Sequence, residues 1–245
     1  MRPIMLATAV LVAVIGSAEV DAQTAAPLDK AAVERIIKDY LLREPEVVYQ
    51  ALEELQQRRE LEEANRQRGL VVARKGDIFD DPTDPVLGNP DGDVTLVEFF
   101  DYRCGYCRNM VPSMRAMVEK DQKLKLVMKE FPILGPDSVV ASQAALAARK
   151  QGKYAEMHFA LFQTKDLTEA GVLQIAKSLG LDTARLLKDM KHEDIEREIT
   201  RTRALATELG ITGTPSFVVA DTLIPGAVPV GRLAELIAAE RAKRK

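Results

Sequence analysis

Cys104 and Cys107 are the only cysteines among 245 residues. The two residues between them allow both sulfurs to lie within bonding reach on the first turn of a helix, which suits a disulfide that opens and closes. The stretch 94–100 before the pair is β-branched and aromatic, and the stretch 109–119 after it has apolar residues at helical spacing. The pair is therefore predicted at a strand-to-helix junction, where unpaired amides and the helix dipole stabilise a thiolate on Cys104.

The amino-terminal residues have the pattern of a secretory signal peptide. Arg2 precedes an apolar stretch at 4–15, and small residues follow up to Ala18 and Ala22. A dozen apolar residues fall short of the roughly 20 that span a bilayer, so cleavage is favoured over an uncleaved membrane anchor. We expect residues 1–22 to be a signal peptide, cleaved near Ala18 or Ala22, and the mature protein to be periplasmic.

Composition bears on the class of function. Export would place the two cysteines where thiols are readily oxidised, and no further cysteine is present for a structural bridge. The disulfide is thus available for chemistry. A formal net charge of −3 gives no reason to expect nucleic acid as a partner.

The segment before the cysteines is helical in character. Apolar residues recur at three- and four-residue intervals from Val33 to Leu55, and Pro45 interrupts the pattern, which predicts two helices or one kinked helix. This stripe must be buried against the main domain or against a copy of itself, although a charged, solvated arm is the alternative. We assign 23–75 to an N-terminal helical oligomerisation segment and linker, with the boundary near Gly69 to Gly76.

The rest of the chain alternates strand and helix patterns. A helical region at about 137–209 separates the third and fourth strands, and a last helix is expected at 230–243. This order implies an α/β fold, with a mixed sheet and an inserted helical subdomain. The predicted strands are 77–80, 95–100, 123–130, 216–220 and a short one around Leu223.

Three motifs resemble the DsbA family of thioredoxin-like disulfide oxidoreductases. This similarity implies a thioredoxin-like fold over 76–245. The stretch 41–47 resembles the extension of the ScsC branch, named for suppression of copper sensitivity. The three motifs are Val97, Glu98, Phe99, Phe100, Asp101 and Tyr102 leading into Cys104–Cys107; Phe131, Pro132, Ile133, Leu134 and Gly135; and Gly213, Thr214, Pro215, Ser216 and Phe217.

The resemblance assigns roles to matching positions. Cys104 corresponds to the exposed nucleophile and Cys107 to the buried resolving thiol. Thr214 and Pro215 match a cis-proline loop that offers backbone groups to an extended substrate. No cofactor beyond the redox-active Cys104–Cys107 disulfide is expected.

Glu98 matches the buried acid beneath the active site of this family. Burial would raise its pKa and let it accept a proton as Cys107 becomes a nucleophile. Lys129 on the next strand could pair with Glu98, or it could be a solvated strand residue.

Gly105 and Tyr106 provide no imidazolium between the cysteines, unlike the strongly oxidising members of the family. The reduced form should therefore be less favoured and the protein a milder oxidant. We expect a disulfide isomerase that acts on misfolded or reduced secreted proteins and is kept reduced by a membrane thiol reductase of the DsbD/ScsB type. A homotrimer is expected from the ScsC resemblance, and a DsbA-type dithiol oxidase is the alternative.

A copper(I)-binding protein is a further alternative, because Cys104 and Cys107 could supply two soft thiolates to one ion. Zinc is not expected, since His158 and His192 lack ligand spacing to each other or to the cysteines. Both histidines are interpreted as helix-surface or core residues.

Overall fold

The computed structural model describes residues 29–243, which divide into two compact units at residues 56 and 57. The expected signal peptide and its cleavage positions near Ala18 and Ala22 lie outside the described residues. Within 29–243, no helix has the length and apolar character needed to cross a bilayer.

Two helices form the amino-terminal part of the described chain. Helix α1 spans Lys30–Arg43 and is capped by the Asp29 side chain, which accepts a hydrogen bond from the Ala31 amide. Helix α2 spans Glu46–Ala73 and begins directly after Pro45. The proline lacks an amide donor and its ring clashes within a helix, so two helices form rather than one.

The remaining elements alternate between short strands and helices. In chain order they are α3 (Lys75–Phe79), β1 (Val86–Gly88), β2 (Val94–Phe100), α4 (Gly105–Lys120), β3 (Leu124–Glu130), α5 (Pro136–Arg149), α6 (Tyr154–Gln163), α7 (Glu169–Ser178), α8 (Thr183–Met190), α9 (Glu193–Glu208), β4 (Ser216–Val219), β5 (Thr222–Pro225) and α10 (Val230–Lys243).

The five strands form one mixed sheet in the order β1-β3-β2-β4-β5. Strands β2 and β3 are parallel, whereas β1 pairs with β3, β4 with β2 and β5 with β4 in antiparallel orientation. One face of the sheet shares a hydrophobic cluster with α4, α5 to α8, the first half of α9 and α10, and the other face shares a second cluster with the end of α2, α3 and the second half of α9. The expected thioredoxin-like fold with an inserted helical subdomain is confirmed, and α5 to α9 occupy the region expected to be helical.

Two predictions around the first strand are wrong. Residues 77–79 lie in helix α3 and Asp80 caps its end, so no strand forms there, and the edge strand is β1, which the sequence pattern did not predict. The expected link from Gly69 to Gly76 is helical, because α2 continues to Ala73 and α3 follows. Val71, Ile78 and Phe79 are buried against the sheet, so tertiary packing holds this stretch in helices.

Helix ends in the inserted subdomain follow the cap residues in the sequence. Thr168 and Asp182 accept backbone hydrogen bonds at the starts of α7 and α8. Gly180 follows α7 with φ of +74°, a conformation that residues with a side chain rarely adopt. These local signals set the ends of helices that cover one face of the sheet.

Candidate active site

Cys104 is the N-cap of helix α4. Its Sγ accepts a hydrogen bond from the Cys107 amide at 3.4 Å, and its own amide donates to the Asp101 carbonyl at 3.0 Å. Buried strand β2 ends at Phe100, and Met110 and Met114 anchor α4 in the core. The strand and the helix therefore hold the redox-active turn from both sides, as the sequence predicted.

The surroundings of Cys104 favour its thiolate. A hydrogen bond from the Cys107 side chain is the largest influence, and together with the Thr214 side chain and the amides of Tyr106 and Cys107 it lowers the pKa of Cys104 to about 5. Partial burial opposes this shift. At neutral pH, Cys104 is therefore ionised and ready to act as a nucleophile or as a leaving group.

Cys107 has the opposite character. The hydrogen bond to Cys104 raises the pKa of Cys107 far above its usual range, and burial and the Glu98 charge act in the same direction. Both cysteines are free thiols in this structure. The resolving thiol thus stays protonated until a base takes its proton.

The expectation of an exposed Cys104 is wrong for this conformation. Cys104 is 5% exposed and Cys107 is 1% exposed. The reason is the loop before β4, since the carbonyl oxygen of Thr214 lies 3.2 Å from the Cys104 Sγ. The Thr214–Pro215 peptide bond is cis, as the family resemblance implied. The loop therefore lies against the nucleophile.

Glu98 lies on β2 beneath the redox-active turn. It is 6% exposed, and burial, reinforced by the charge on Cys104, raises its pKa to about 8. A cavity of about 220 Å³ borders Glu98, between α4, the sheet and α6. A carboxyl group with this pKa can both hold and release a proton near neutral pH.

Lys129 does not pair with Glu98. The β2–β3 register aligns Glu98 with Met128, so Lys129 points to the opposite face of the sheet. There its buried ammonium group contacts the Asp84 carboxylate and donates to the Asp77 carbonyl at 2.5 Å. Both alternatives for Lys129, a partner of Glu98 and a solvated residue, are therefore wrong. Within 29–243, Glu98 has no cationic partner.

The two histidines have separate surroundings. His158 is buried, its Nδ1 lies 3.1 Å from the Tyr102 hydroxyl, and burial lowers its pKa to about 3. His192 is exposed and caps helix α9. Neither lies with the cysteines in a group of three or more side chains that could hold a metal among the residues described.

Two buried carboxyl groups near the site did not stand out from the sequence. Asp101 follows β2 directly and binds the turn before Cys104, and Glu130 ends β3 and accepts hydrogen bonds from Tyr102 and Tyr154. Burial raises the pKa of Glu130 to about 8. The only sequence signal was an acidic residue directly after, or at the end of, an apolar strand.

Comparison with known families identifies the fold and its extension. Residues 95–238 match the family described as DSBA-like thioredoxin domain. This chain belongs to the DSBA-like thioredoxin family. Residues 29–62 also match the family described as copper resistance protein ScsC N-terminal domain. Both resemblances stated from the sequence are thus confirmed.

Solved structures of family members cover much of the chain. A thioredoxin-like oxidoreductase from Silicibacter pomeroyi is 47% identical, with a TM-score of 0.66 over 70% of this chain and 98% of that one. Proteus mirabilis ScsC in a compact conformation is 29% identical, with a TM-score of 0.65 over 88% of this chain and 100% of that one. The second match includes part of the amino-terminal segment.

One curated relative places the same domain in a longer protein. The Na(+)/H(+) antiporter NhaA 3 of Salinispora tropica is 31% identical over 164 residues, which are 64% of this chain. The chain spans only 25% of the length of that relative. The region similar to this chain is therefore a minor part of that relative.

Selective alkylation is the first test of the site. At pH 6, iodoacetamide should modify Cys104 of the reduced protein at least about tenfold faster than Cys107, because only the thiolate reacts. The Cys104 rate should fall by half near pH 5. Mass mapping of peptides gives both rates, and the urea-unfolded protein is the control in which the two cysteines react alike. Equal labelling of the folded protein would refute the assignment of nucleophile and resolving thiol.

Proposed function

We propose that this protein is a periplasmic thiol-disulfide exchange enzyme whose nucleophile is Cys104. The observation that carries the proposal is the position of Cys104 at the start of α4, with a pKa of about 5 and the Thr214–Pro215 loop against it. A thiolate at this position attacks a client disulfide, and the same sulfur later leaves readily. Thr214 and Pro215 supply the backbone on which an extended client binds.

Within this class we propose a disulfide isomerase that is held reduced by a membrane thiol reductase of the DsbD/ScsB type. Isomerisation requires a free thiolate that attacks a wrong bridge, whereas an oxidase must arrive with its own disulfide. The ScsC-like amino-terminal segment supports this choice, since an oligomer can present several Cys104 sites to one misfolded secreted protein.

A DsbA-type dithiol oxidase is the second candidate, and one observation favours it. The pKa of Cys104 is low although Gly105 and Tyr106 contribute no imidazolium, because the Cys107 side chain and backbone amides stabilise the thiolate. A stabilised thiolate makes the corresponding disulfide more oxidising. The absence of a histidine between the two cysteines therefore does not by itself imply a mild oxidant.

The two candidates are separated by two measurements on one preparation. The reduced protein should restore activity to a scrambled ribonuclease, and its equilibrium with glutathione should give a potential below that of a strong oxidase. Cys104→Ser is the control that removes both activities. Efficient oxidation of a reduced peptide without recovery of the scrambled substrate would show a dithiol oxidase.

The amino-terminal segment is proposed to form a homotrimer. Helix α1 has no buried residue, and apolar side chains of α1 and α2 are exposed in the single chain. Copies of the same segment would remove this surface from water. The exposed large apolar side chains of α1 and α2 are Ile36, Ile37, Tyr40, Leu42, Val47, Val48, Tyr49, Leu52, Leu55, Leu61 and Val72.

Light scattering tests the oligomer. A chain of residues 23–245 should have three times the monomer mass, whereas a chain that begins at Gln57 should be monomeric. Gln57 is the better start than Gly69, because the second compact unit begins at Gln57, whereas Gly69 lies only two residues before Val71, which is buried in the core. Two monomeric chains would refute the role of the segment.

Copper(I) binding is a separate proposal, motivated by the ScsC match. The Cys104 and Cys107 thiols are the soft donors that copper(I) prefers, and both lie on one helical turn. A bound ion would hold Cys107 as a thiolate against its raised pKa. Competition with a copper(I) chelator should show tight binding that Cys104→Ser and Cys107→Ser abolish. Unchanged affinity in the double variant would place the metal elsewhere.

A further inference from the structure

Asp101 is fully buried directly after β2, three residues before the nucleophile. Its Oδ1 accepts hydrogen bonds from the Arg103 amide and the Ser138 hydroxyl, both at 2.7 Å. Its Oδ2 accepts from the amides of Ile133 and Leu134, at 2.7 and 2.9 Å. One side chain therefore joins the redox-active turn to the loop that follows β3.

A second connection joins the same two loops. The Arg103 guanidinium donates to the Leu134 carbonyl at 2.5 Å. Gly135 has φ of +122°, and a Cβ there would come within 2.7 Å of the Arg103 Nη1. A glycine is favoured here, because residues with a side chain rarely adopt this φ and a Cβ would displace the Arg103 guanidinium. Asp101 therefore binds the amides of this loop, and Arg103 binds one of its carbonyl groups.

The loop held in this way presents apolar side chains to solvent. Ile133 is 39% exposed and Leu134 is 43% exposed, although the backbone of both residues is hydrogen-bonded to Asp101 or Arg103. Tyr106, between the two cysteines, is 69% exposed. Apolar side chains fixed at the surface beside a nucleophile are typical of a binding surface.

We propose that Asp101 is a positioning residue, which holds Ile133 and Leu134 as an apolar lip beside Cys104 that binds apolar side chains of client proteins. The inference rests on the proposed thiol-disulfide exchange at Cys104. The main-chain carbonyl of Asp101 accepts from the Cys104 amide, so one residue sets the distance between nucleophile and lip. Clients with an apolar residue next to their cysteine are therefore preferred.

The reaction that reports on the lip is oxidation of a dithiol peptide by the disulfide form of the protein. One peptide thiolate attacks the Cys104 sulfur and Cys107 leaves as the thiolate. The second peptide thiolate then attacks the mixed disulfide, and Cys104 leaves. The peptide loses two electrons and two protons overall, and the protein disulfide gains two electrons and becomes two thiols.

The experiment uses the full mature chain and two such peptides, which differ only in a leucine or a serine next to the first cysteine. Arg103→Ala, Asp101→Asn and Leu134→Ser should each raise KM for the leucine peptide by about tenfold, about 1.4 kcal/mol of binding. The kcat should stay within about twofold, because the thiols are unchanged. KM for the serine peptide should not change.

Ser138→Ala is the matched control, because it removes one donor to Asp101 but leaves both lip amides and Arg103 in place. It should leave KM for the leucine peptide unchanged. The proposal is overturned if Arg103→Ala and Leu134→Ser leave this KM unaltered, whatever the stability of Asp101→Asn. It is also overturned if the variants change both peptides equally or lower kcat alone.

Exchange with glutathione separates this inference from the proposed function on which it rests. Glutathione disulfide should react with reduced wild-type protein and the lip variants at equal rates. If wild-type protein does not exchange with glutathione, the proposed function fails. If exchange is normal and the two peptides have the same KM, only the lip is refuted.

Discussion

A chain shortened to begin at Gln57 should lose about tenfold or more of its activity on scrambled ribonuclease, while it oxidises a reduced peptide at least as fast as the longer chain. The physical reason is effective concentration. A client held at one Cys104 meets further Cys104 thiolates of the same oligomer, which can attack its other wrong disulfides. A single dithiol pair suffices for oxidation, so that reaction does not need the oligomer.

Point variants test the same idea without shortening the chain. Leu52→Lys combined with Leu55→Lys places charge on the exposed apolar side of α2 and should reproduce the loss. Gln50→Lys is the matched control, because it adds charge on the opposite side of the same helix. Recovery of ribonuclease at the wild-type rate by monomeric protein would show that isomerisation does not depend on self-association.

The parts of the site that the sequence predicted depend on local chemistry. A cysteine pair between an apolar strand and a helix defines the N-cap of α4 within a few residues, and proline at 215 marks the loop before β4. The expected acid, Glu98, is buried because every residue of the central strand β2 except Thr95 is buried. Such features require no knowledge of distant contacts.

The errors concern contacts that depend on strand register and on packing. Glu98 and Lys129 lie on neighbouring strands, but a register that aligns Glu98 with Met128 puts them on opposite faces. Ile78 and Phe79 look like strand residues, yet they pack on the sheet from a five-residue helix. Their partners lie far away in the chain, so a local pattern cannot identify them.

The role of Asp101 could not be predicted for the same reason. Its bonds to Ile133 and Leu134 join positions 32 and 33 residues apart. The sequence shows only a carboxylate between an aromatic strand and a cysteine. The four donors become apparent only when the loop after β3 lies beside the loop after β2.

Glu98→Gln should slow the release of clients from Cys104 by about 10²-fold at pH 8, the usual contribution of a positioned base. Release requires Cys107 to lose its proton, and burial and the Glu98 charge raise the pKa of Cys107. Ionised Glu98 can accept that proton. Its pKa is about 8 in the reduced protein, and the mixed disulfide lacks the Cys104 charge that helps to raise it, so the ionised fraction increases below pH 8 during release. The wild-type rate should therefore rise with pH and level off by about pH 8, whereas the variant should be slower and should not level off there, because solvent hydroxide then has to ionise Cys107. The release rate is measured by rapid quenching of a mixed disulfide between the protein and a fluorescent peptide.

Glu130→Gln is the matched control for this kinetic effect. Glu130 is also buried and its pKa is also raised to about 8, but its hydrogen-bond partners are Tyr102, Tyr154 and Ser142 instead of the cysteines. A folded Glu130→Gln protein should retain the pH-dependent release. If its rate no longer levels off while that of Glu98→Gln still does, the base has been assigned to the wrong carboxyl group.

The free energy of unfolding tests the raised pKa of Glu98 without any client. Its folded pKa is about 8 against an ordinary value of 4.5, so its contribution to folding is full below pH 4.5 and is lost as pH rises through 8. Glutamine cannot ionise and avoids this loss. The difference in free energy of unfolding, reduced variant minus reduced wild type, should therefore be about 3–5 kcal/mol larger at pH 9 than at pH 4. Oxidation removes the Cys104 charge that helps to raise this pKa, so the gain should be smaller in the disulfide form. Parallel pH curves from urea unfolding of the two reduced proteins would show that Glu98 is not held in its neutral form by burial.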